Sequence, residues 1–262
     1  MKFEQLIEEF LNSYLSITPS VKKINKIVNQ KIVNDHIAFR TFSHDKTSID
    51  NQKVYFEKFG YKKKGIYSFK EKNLRAIHLE SKNSKYPKIF LSEIILNNFS
   101  KYLQNIFNQI IYDLEFSSNK YLLLSGRAWD IKKDIYLNIL NESEYAAWLY
   151  IWGFRPNHFT ISLNHLTKLN TIKEINSALK MQGFIINNSG GEIKGSKLQF
   201  LEQSSIVADK IPVQFEKEIM ILPSCYYEFA KRYRDKSGKL YQGFLEKSAY
   251  NIFDSTDYKQ TH

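Results

Sequence analysis

Two histidines sit in matching surroundings. DHIAFRTF from Asp35 and NHFTISLN from Asn157 each begin with an acid or amide, continue with His36 or His158, and then run through aromatic and β-branched residues. That composition suits an opening β-strand. Alternate residues of a strand share a face, so His36, Ala38 and Arg40 form one row and His158, Thr160 and Ser162 another. An isolated histidine at a strand start is ordinarily a hydrogen-bonded structural residue. Two in equivalent places argue for a shared task.

That task is metal binding. Two histidines and one carboxylate make the facial set used for non-haem iron(II), which leaves positions open for a chelating substrate and for dioxygen. Glu228 in SCYYEFA is the first choice of carboxylate. Glu93 in KIFLSEI and His78 in RAIHLES are rivals that spacing does not remove. His44, His165 and His262 read as loop or terminal residues. Asp35 and Asn157 are expected on the opposite strand face, as structural residues outside the site. Zinc, manganese and nickel accept the same ligands, so the donor set alone does not name the ion.

Arg40 lies four residues beyond His36, roughly 13 Å along an extended strand, and its side chain can reach partway back. A guanidinium stays charged and offers paired donors to a carboxylate; a buried structural ion pair suits the same spacing. The stretch SGGEIKGSKLQFLEQSS from Ser189 reads as a glycine-relieved hairpin ending in Gln203, Ser204 and Ser205, candidate substrate contacts. It lacks the GKS or GKT ending and the following helix of a phosphate-binding loop. No Ser-His-Asp or Cys-His arrangement is recognisable.

The elements that must position these residues repeat. After each opening strand comes a helical stretch, with Val54, Phe56 and Phe59 in the first and Ile172, Ile175, Leu179 and Met181 in the second. Each stretch stops at a glycine: Gly60 is 24 residues after His36 and Gly183 is 25 after His158. Further strands carry Glu93 and Glu228 at similar ordinal places, 57 and 70 residues after the respective histidines. The plan is a βαβββ unit used twice. Residues 3–15 and the run Phe99, Leu103, Ile106, Phe107, Ile110 have helical spacing. The expected organisation is a single catalytic domain: a helical segment over 1–30, a first unit over 31–97, a helical insertion over 98–150 with a short helix in SEYAAWLYIWGF, and a second unit with a C-terminal extension over 151–262.

Composition excludes several alternatives. A chain of 262 residues that is 43% hydrophobic can bury a substantial core. No run approaches the roughly 20 apolar residues of a membrane span, and the acidic start MKFEQLIEEF is unlike a signal peptide, so a cytoplasmic protein without a membrane partner is expected. The lone Cys225 rules out an internal disulfide or a cysteine-based zinc cluster. The net charge of +11 comes from scattered lysines, with KKK at 62–64 as the sharp cluster; a solvated turn explains that cluster and no nucleic-acid partner is expected. Oligomeric state is not legible.

The ordered segments VNDHIAFRTF, PKIFLSEI, SEYAAWL, RPNHFTISLN, SGGEIKGS, LEQSS, PSCYYEFAKRY and KLYQGFLEKSAYNIFDSTD resemble the DUF1338 family, whose characterised members are 2-oxoadipate dioxygenase/decarboxylases, from about Val33 to Asp257. The family belongs to the vicinal oxygen chelate superfamily. The resemblance therefore implies an α+β fold of paired βαβββ modules forming a metal-holding β cup, with added helices. It implies that His36, His158 and Glu228 hold iron(II), and that Arg40 binds substrate. The implied partners are a 2-oxo acid and dioxygen, the implied reaction conversion of 2-oxoadipate to 2-hydroxyglutarate and carbon dioxide. This chain is more compact than the longer family members, which leaves the choice of 2-oxo acid open. Rival readings are a glyoxalase-like lyase or isomerase that uses its metal as a Lewis acid, and a non-catalytic basic RNA-binding module on the same fold.

Overall fold

The computed structural model describes residues 2–114 and 121–257. Two helices open the chain, α1 (Phe3–Leu15) and α2 (Ser20–Val28). Phe3, Leu6, Phe10 and Tyr14 recur every three or four residues on α1 and are buried against the sheet that follows.

The first unit runs β1 (Asn34–Phe42), α3 (Ile49–Glu57), β2 (Tyr61–Phe69), β3 (Leu74–Ser81) and β4 (Lys88–Ile94). Three helices follow, α4 (Lys101–Asp113), α5 (Lys133–Glu142) and α6 (Glu144–Trp152). The second unit comprises β5 (Pro156–Ser162), α7 (Ile172–Met181), β6 (Lys194–Ser196), β7 (Leu201–Ser205), a hairpin of β8 (Lys210–Gln214) and β9 (Ile219–Pro223), then β10 (Tyr226–Arg232), with α8 (Glu246–Phe253) beyond it.

One curled eight-stranded sheet holds both units in the order β2-β3-β4-β1-β5-β10-β7-β6. β1 pairs β4 in parallel, β5 pairs β10 in parallel, and the units meet where β1 and β5 run antiparallel. The duplication thus places the two histidine-bearing strands side by side at the centre. Parallel pairs need long crossovers, supplied by α3 and α7. Both helices end before a glycine in the left-handed region, Gly60 at φ +80° and Gly183 at φ +83°. No neighbour crowds either position, so the backbone angle alone favours glycine there. The extra length of the second unit is the β8–β9 hairpin, which pairs only with itself.

Three expectations change. The Lys62–Lys64 cluster is not a turn; it lies exposed on β2, an edge strand with a register shift between Lys63 and Gly65. Charged side chains and an irregularity on an edge discourage pairing with another sheet. Helix α3 packs through Ile49, Gln52 and Phe56, leaving Val54 exposed, and Met181 at the end of α7 is exposed as well. Finally, Glu93 is not the counterpart of Glu228. Thr160 pairs with Glu228, whereas Ala38, two residues beyond His36, pairs with Phe90. Register therefore puts Phe90 at the equivalent place. Glu93 lies three residues further on, and the period of two turns it to the other face.

Helix α6 is apolar on all sides and buried from Tyr145 to Trp152, as expected of a helix enclosed by protein. Ser143 caps it by accepting from the Ala146 N–H at 3.2 Å. Its Tyr145 donates to the Ser92 carbonyl at 2.8 Å and Trp152 to the Pro223 carbonyl at 2.7 Å, fixing the insertion against both units. No helix among the described residues is long and apolar enough to cross a membrane.

Candidate metal centre

The central strands form a ladder whose rungs carry the chemistry. His36, Thr160 and Glu228 occupy one rung; Ala38, His158 and Tyr226 occupy the next. From these rungs His158 Nε2 lies 3.0 Å and His36 Nε2 3.7 Å from Glu228 Oε2, with 3.4 Å between the two imidazole nitrogens. Metal bonds of roughly 2.0–2.2 Å at right angles would place neighbouring donors about 3 Å apart. The three side chains are buried, and among the described residues they are the only set of three or more His, Cys, Asp or Glu with donor atoms all within 4.8 Å of one another. Donor chemistry and spacing both fit one divalent ion.

The outer nitrogens of both imidazoles are also engaged. His36 Nδ1 lies 2.8 Å from Asp35 Oδ1, and Asp35 accepts from Arg232 Nε at 2.6 Å and Nη2 at 2.9 Å. His158 Nδ1 lies 3.1 Å from Asn157 Oδ1. A proton held on Nδ1 by an oxygen acceptor leaves the Nε2 lone pair free for a metal. Gln203 Nε2 donates to Glu228 Oε1 at 2.5 Å, leaving Oε2 toward the histidines. Asp35 and Asn157, set aside in the sequence as residues of the opposite face, therefore belong to the site. Each is short enough to reach sideways from the strand start to the adjacent ring. The repeated acid-or-amide before histidine was the signal.

Electrostatics follow from burial and these contacts. Burial opposes ionisation of Glu228, but His36 and His158 overcome it and hold the carboxyl down to about 2. His36 is raised: burial disfavours its charged form, and Glu228 and Asp35 outweigh that. Burial prevails at His158, which is lowered, the neutral form a metal needs. Arg232 holds Asp35 well below the ordinary aspartate range against the opposing effect of burial.

A small cavity of about 20 Å³ adjoins the triad, room for about one water. Sheet residues form its floor, with the Tyr226 ring stacked on His158 at 4.6 Å. Phe244, Ala249, Ile252 and Phe253, all from the C-terminal segment, close it, and Phe244 meets His36 edge-on at 4.8 Å. Arg40 is buried next to a second cavity of about 190 Å³, whose wall at Phe253 is shared with the first. Its guanidinium lies over the Tyr145 and Trp148 rings at 4.8 and 5.0 Å and donates from Nη2 to Thr256 Oγ1 at 3.0 Å. Arg40 Nε and Nη1 are buried without a hydrogen-bond partner among the described residues. No carboxylate pairs with it there, so the structural ion-pair alternative has no support.

The remaining candidates have other work. Glu93 accepts from the Ile49 N–H at 2.7 Å and from Arg75. His78 bonds Tyr67 at 2.8 Å and Glu80 at 3.0 Å. Ser204 donates to Asn176 on α7 at 2.7 Å, on the far side of the sheet from Gln203, and Ser205 bonds Ser255 at 2.8 Å. Of the three hairpin residues, only Gln203 lines the metal cavity. His44 accepts from the Lys46 N–H, His165 bonds Ser162, and His262 lies outside the described residues. Tyr226 and Arg232, both in the site, were not singled out in the sequence; β10's period of two from Glu228 pointed to Tyr226.

Comparison with known proteins identifies relatives of the whole chain. Residues 5–128 and 121–260 match the family described as 2-oxoadipate dioxygenase/decarboxylase. The chloroplastic 2-oxoadipate dioxygenase/decarboxylase of Arabidopsis thaliana is 31% identical over 252 residues, covering 88% of this chain and 68% of the relative. The crystal structure of a hydroxyglutarate synthase from Oryza sativa, in complex with 2-oxoadipate, superposes with a TM-score of 0.88 at 29% identity over 99% of this chain and 93% of that one. A Shewanella frigidimarina structure, described in provisional terms as a hydrolase, has a TM-score of 0.87 at 41% identity and covers 93% and 97% of the two chains.

Proposed function

The chain belongs to the 2-oxoadipate dioxygenase/decarboxylase family, and from that premise we propose that it is an iron(II)-dependent enzyme converting 2-oxoadipate and dioxygen to 2-hydroxyglutarate and carbon dioxide. The atoms balance without a further reductant. One oxygen atom of dioxygen completes the new carboxylate, the other becomes the hydroxyl, and the original carboxyl leaves as carbon dioxide.

The observation that carries this reading is the pairing of a three-ligand facial set with a buried guanidinium that has unused donors. His36, His158 and Glu228 would hold the ion on one side and leave its remaining positions for substrate and dioxygen. The bound iron supplies the activation of dioxygen and the oxidising power; the protein supplies geometry and exclusion of water. Asp35 and Asn157 keep the imidazoles in the ligating tautomer, and Gln203 holds the free oxygen of Glu228. The aromatic cover from Phe244 to Phe253 keeps the reaction dry. Arg40 Nε and Nη1 keep donors free for a second carboxylate, which a dicarboxylic 2-oxo acid has and a simple one lacks.

Protein purified anaerobically and loaded with iron(II) is expected to release carbon dioxide and form 2-hydroxyglutarate from 2-oxoadipate only when oxygen is admitted. Absence of turnover across a series of 2-oxo acids would overturn the reading.

A further inference from the structure

Tyr226 is fully buried, and its hydroxyl has no hydrogen-bond partner among the described residues. Leaving a buried hydroxyl unsatisfied is destabilising, and native structures rarely tolerate it without a reason. The phenol is not displaced into an idle corner. It lines the cavity that His36, His158 and Glu228 share, held flat by stacking on His158 at 4.6 Å with 27° between the planes.

Its rung is informative. Glu228 and His36 mark the metal rung; Tyr226 pairs with His158 and lies level with Ala38, one rung nearer Arg40. Arg40 stands two residues beyond Ala38 on the same face, and Tyr226 and Arg40 are close enough to influence each other's ionisation. Two neighbouring buried side chains therefore carry polar atoms without a partner among the described residues: the Tyr226 hydroxyl, and Nε and Nη1 of Arg40. Each can donate, and one carboxylate can accept from the phenol and from one edge of the guanidinium together.

We propose that Tyr226 is a specificity-determining residue whose hydroxyl donates to the distal carboxylate of the substrate alongside Arg40, so that the site selects a 2-oxo dicarboxylate of defined length. This rests on the functional reading above. The phenol is rigid, and its stack on a metal ligand fixes the distance from the ion to the donor. The selection therefore works on chain length as well as on charge.

The test is anaerobic calorimetric binding of 2-oxoadipate and of 2-oxohexanoate, its counterpart without the distal carboxylate, to protein loaded with zinc in place of iron. Wild type is expected to bind 2-oxoadipate the more tightly. Y226F should weaken 2-oxoadipate binding roughly tenfold or more, as loss of a hydrogen bond to a charged group does, while 2-oxohexanoate binding and zinc stoichiometry stay unchanged. Equal weakening of both ligands would place the hydroxyl on their shared 2-oxo acid head and overturn the proposal. So would a Y226F protein that discriminates as well as wild type. A wild type that binds neither ligand would instead overturn the functional reading on which the proposal rests.

Discussion

Replacing Asp35 by asparagine removes one charge and adds no bulk, yet the structure gives the amide no good orientation. Asp35 uses one oxygen for His36 Nδ1 and Arg232 Nη2 and the other for Arg232 Nε. If the new amide nitrogen faces Arg232, donor meets donor. If it faces His36, the ring must accept at Nδ1, which puts its proton on Nε2 and removes the metal-binding lone pair. Arg232 is 2% exposed and meanwhile loses its counter-charge. Breaking a buried pair by removing one partner costs about 3–5 kcal/mol, and loss of the residue that orients a histidine ligand typically costs 10–100-fold in metal affinity. Urea denaturation of metal-free Asp35→Asn should therefore show a loss of about 3 kcal/mol or more. Competition against a chelator should show iron(II) affinity down at least tenfold. A variant with an unchanged denaturation midpoint and affinity within twofold of wild type would refute this account of the centre.

Glu228→Gln should abolish stoichiometric metal binding, whereas Glu93→Gln should keep it and lower stability, because Glu93 is buried against Ile49 and Arg75 rather than near the ion; metal content after gel filtration distinguishes them. Arg40→Lys replaces a fork of donors by one ammonium and should raise KM for 2-oxoadipate by about tenfold with metal content unchanged, and steady-state kinetics with assayed iron checks this. Asp35 and Glu228 both have folded pKa values below their ordinary 3.8 and 4.5, so between those values and the folded ones the unfolded state binds more protons. Their contribution to the metal-free protein is present above pH about 4.5 and is lost as pH falls toward 2. Urea unfolding at pH 5 and pH 3 should show a steeper loss in wild type than in Asp35→Asn.

The repeat was legible because it rests on local signals. Alternation after His36 and His158, helical spacing and the glycines at 60 and 183 each have a direct backbone cause. The pairing of units was also recoverable, since matched histidines make sense only if their strands meet. Register was not. Glu93 and Glu228 look equivalent by ordinal position, but a strand's face changes with a shift of one residue, and only the ladder shows that Phe90 holds the equivalent place. The roles of Asp35 and Asn157 were missed for a related reason. Strict alternation assigns a side chain to a face, and a short carboxyl or amide beside a ring can defeat it by reaching sideways. Arg232 comes from the far end of β10, 197 residues from Asp35, and no local pattern announces such a contact.

The cup is asymmetric in a way that bears on access. Its floor is strand ladder, buried and continuously hydrogen-bonded, whereas its cover is a single C-terminal stretch around α8. A cavity of about 20 Å³ admits a water, far below the roughly 300 Å³ at which small-molecule sites begin. For a 2-oxo dicarboxylate to reach the triad, floor or cover must move. Shifting the floor would break ladder bonds and the ligand geometry together. The cover is held partly by contacts at partly or largely exposed positions, Lys72 to Asp254 at 2.6 Å, Tyr250 to Glu71 at 2.8 Å and Ser189 to Asp254 at 2.5 Å, and partly by buried hydrogen bonds such as Phe244 N–H to the Tyr67 hydroxyl at 3.2 Å. The first is an ion pair and the other two are hydrogen bonds from hydroxyls, and a partly exposed ion pair contributes about 0–1 kcal/mol. Movement of the cover would keep the ladder intact, and because Phe253 borders both the metal cavity and the space beside Arg40, it is the side chain whose displacement would join the two.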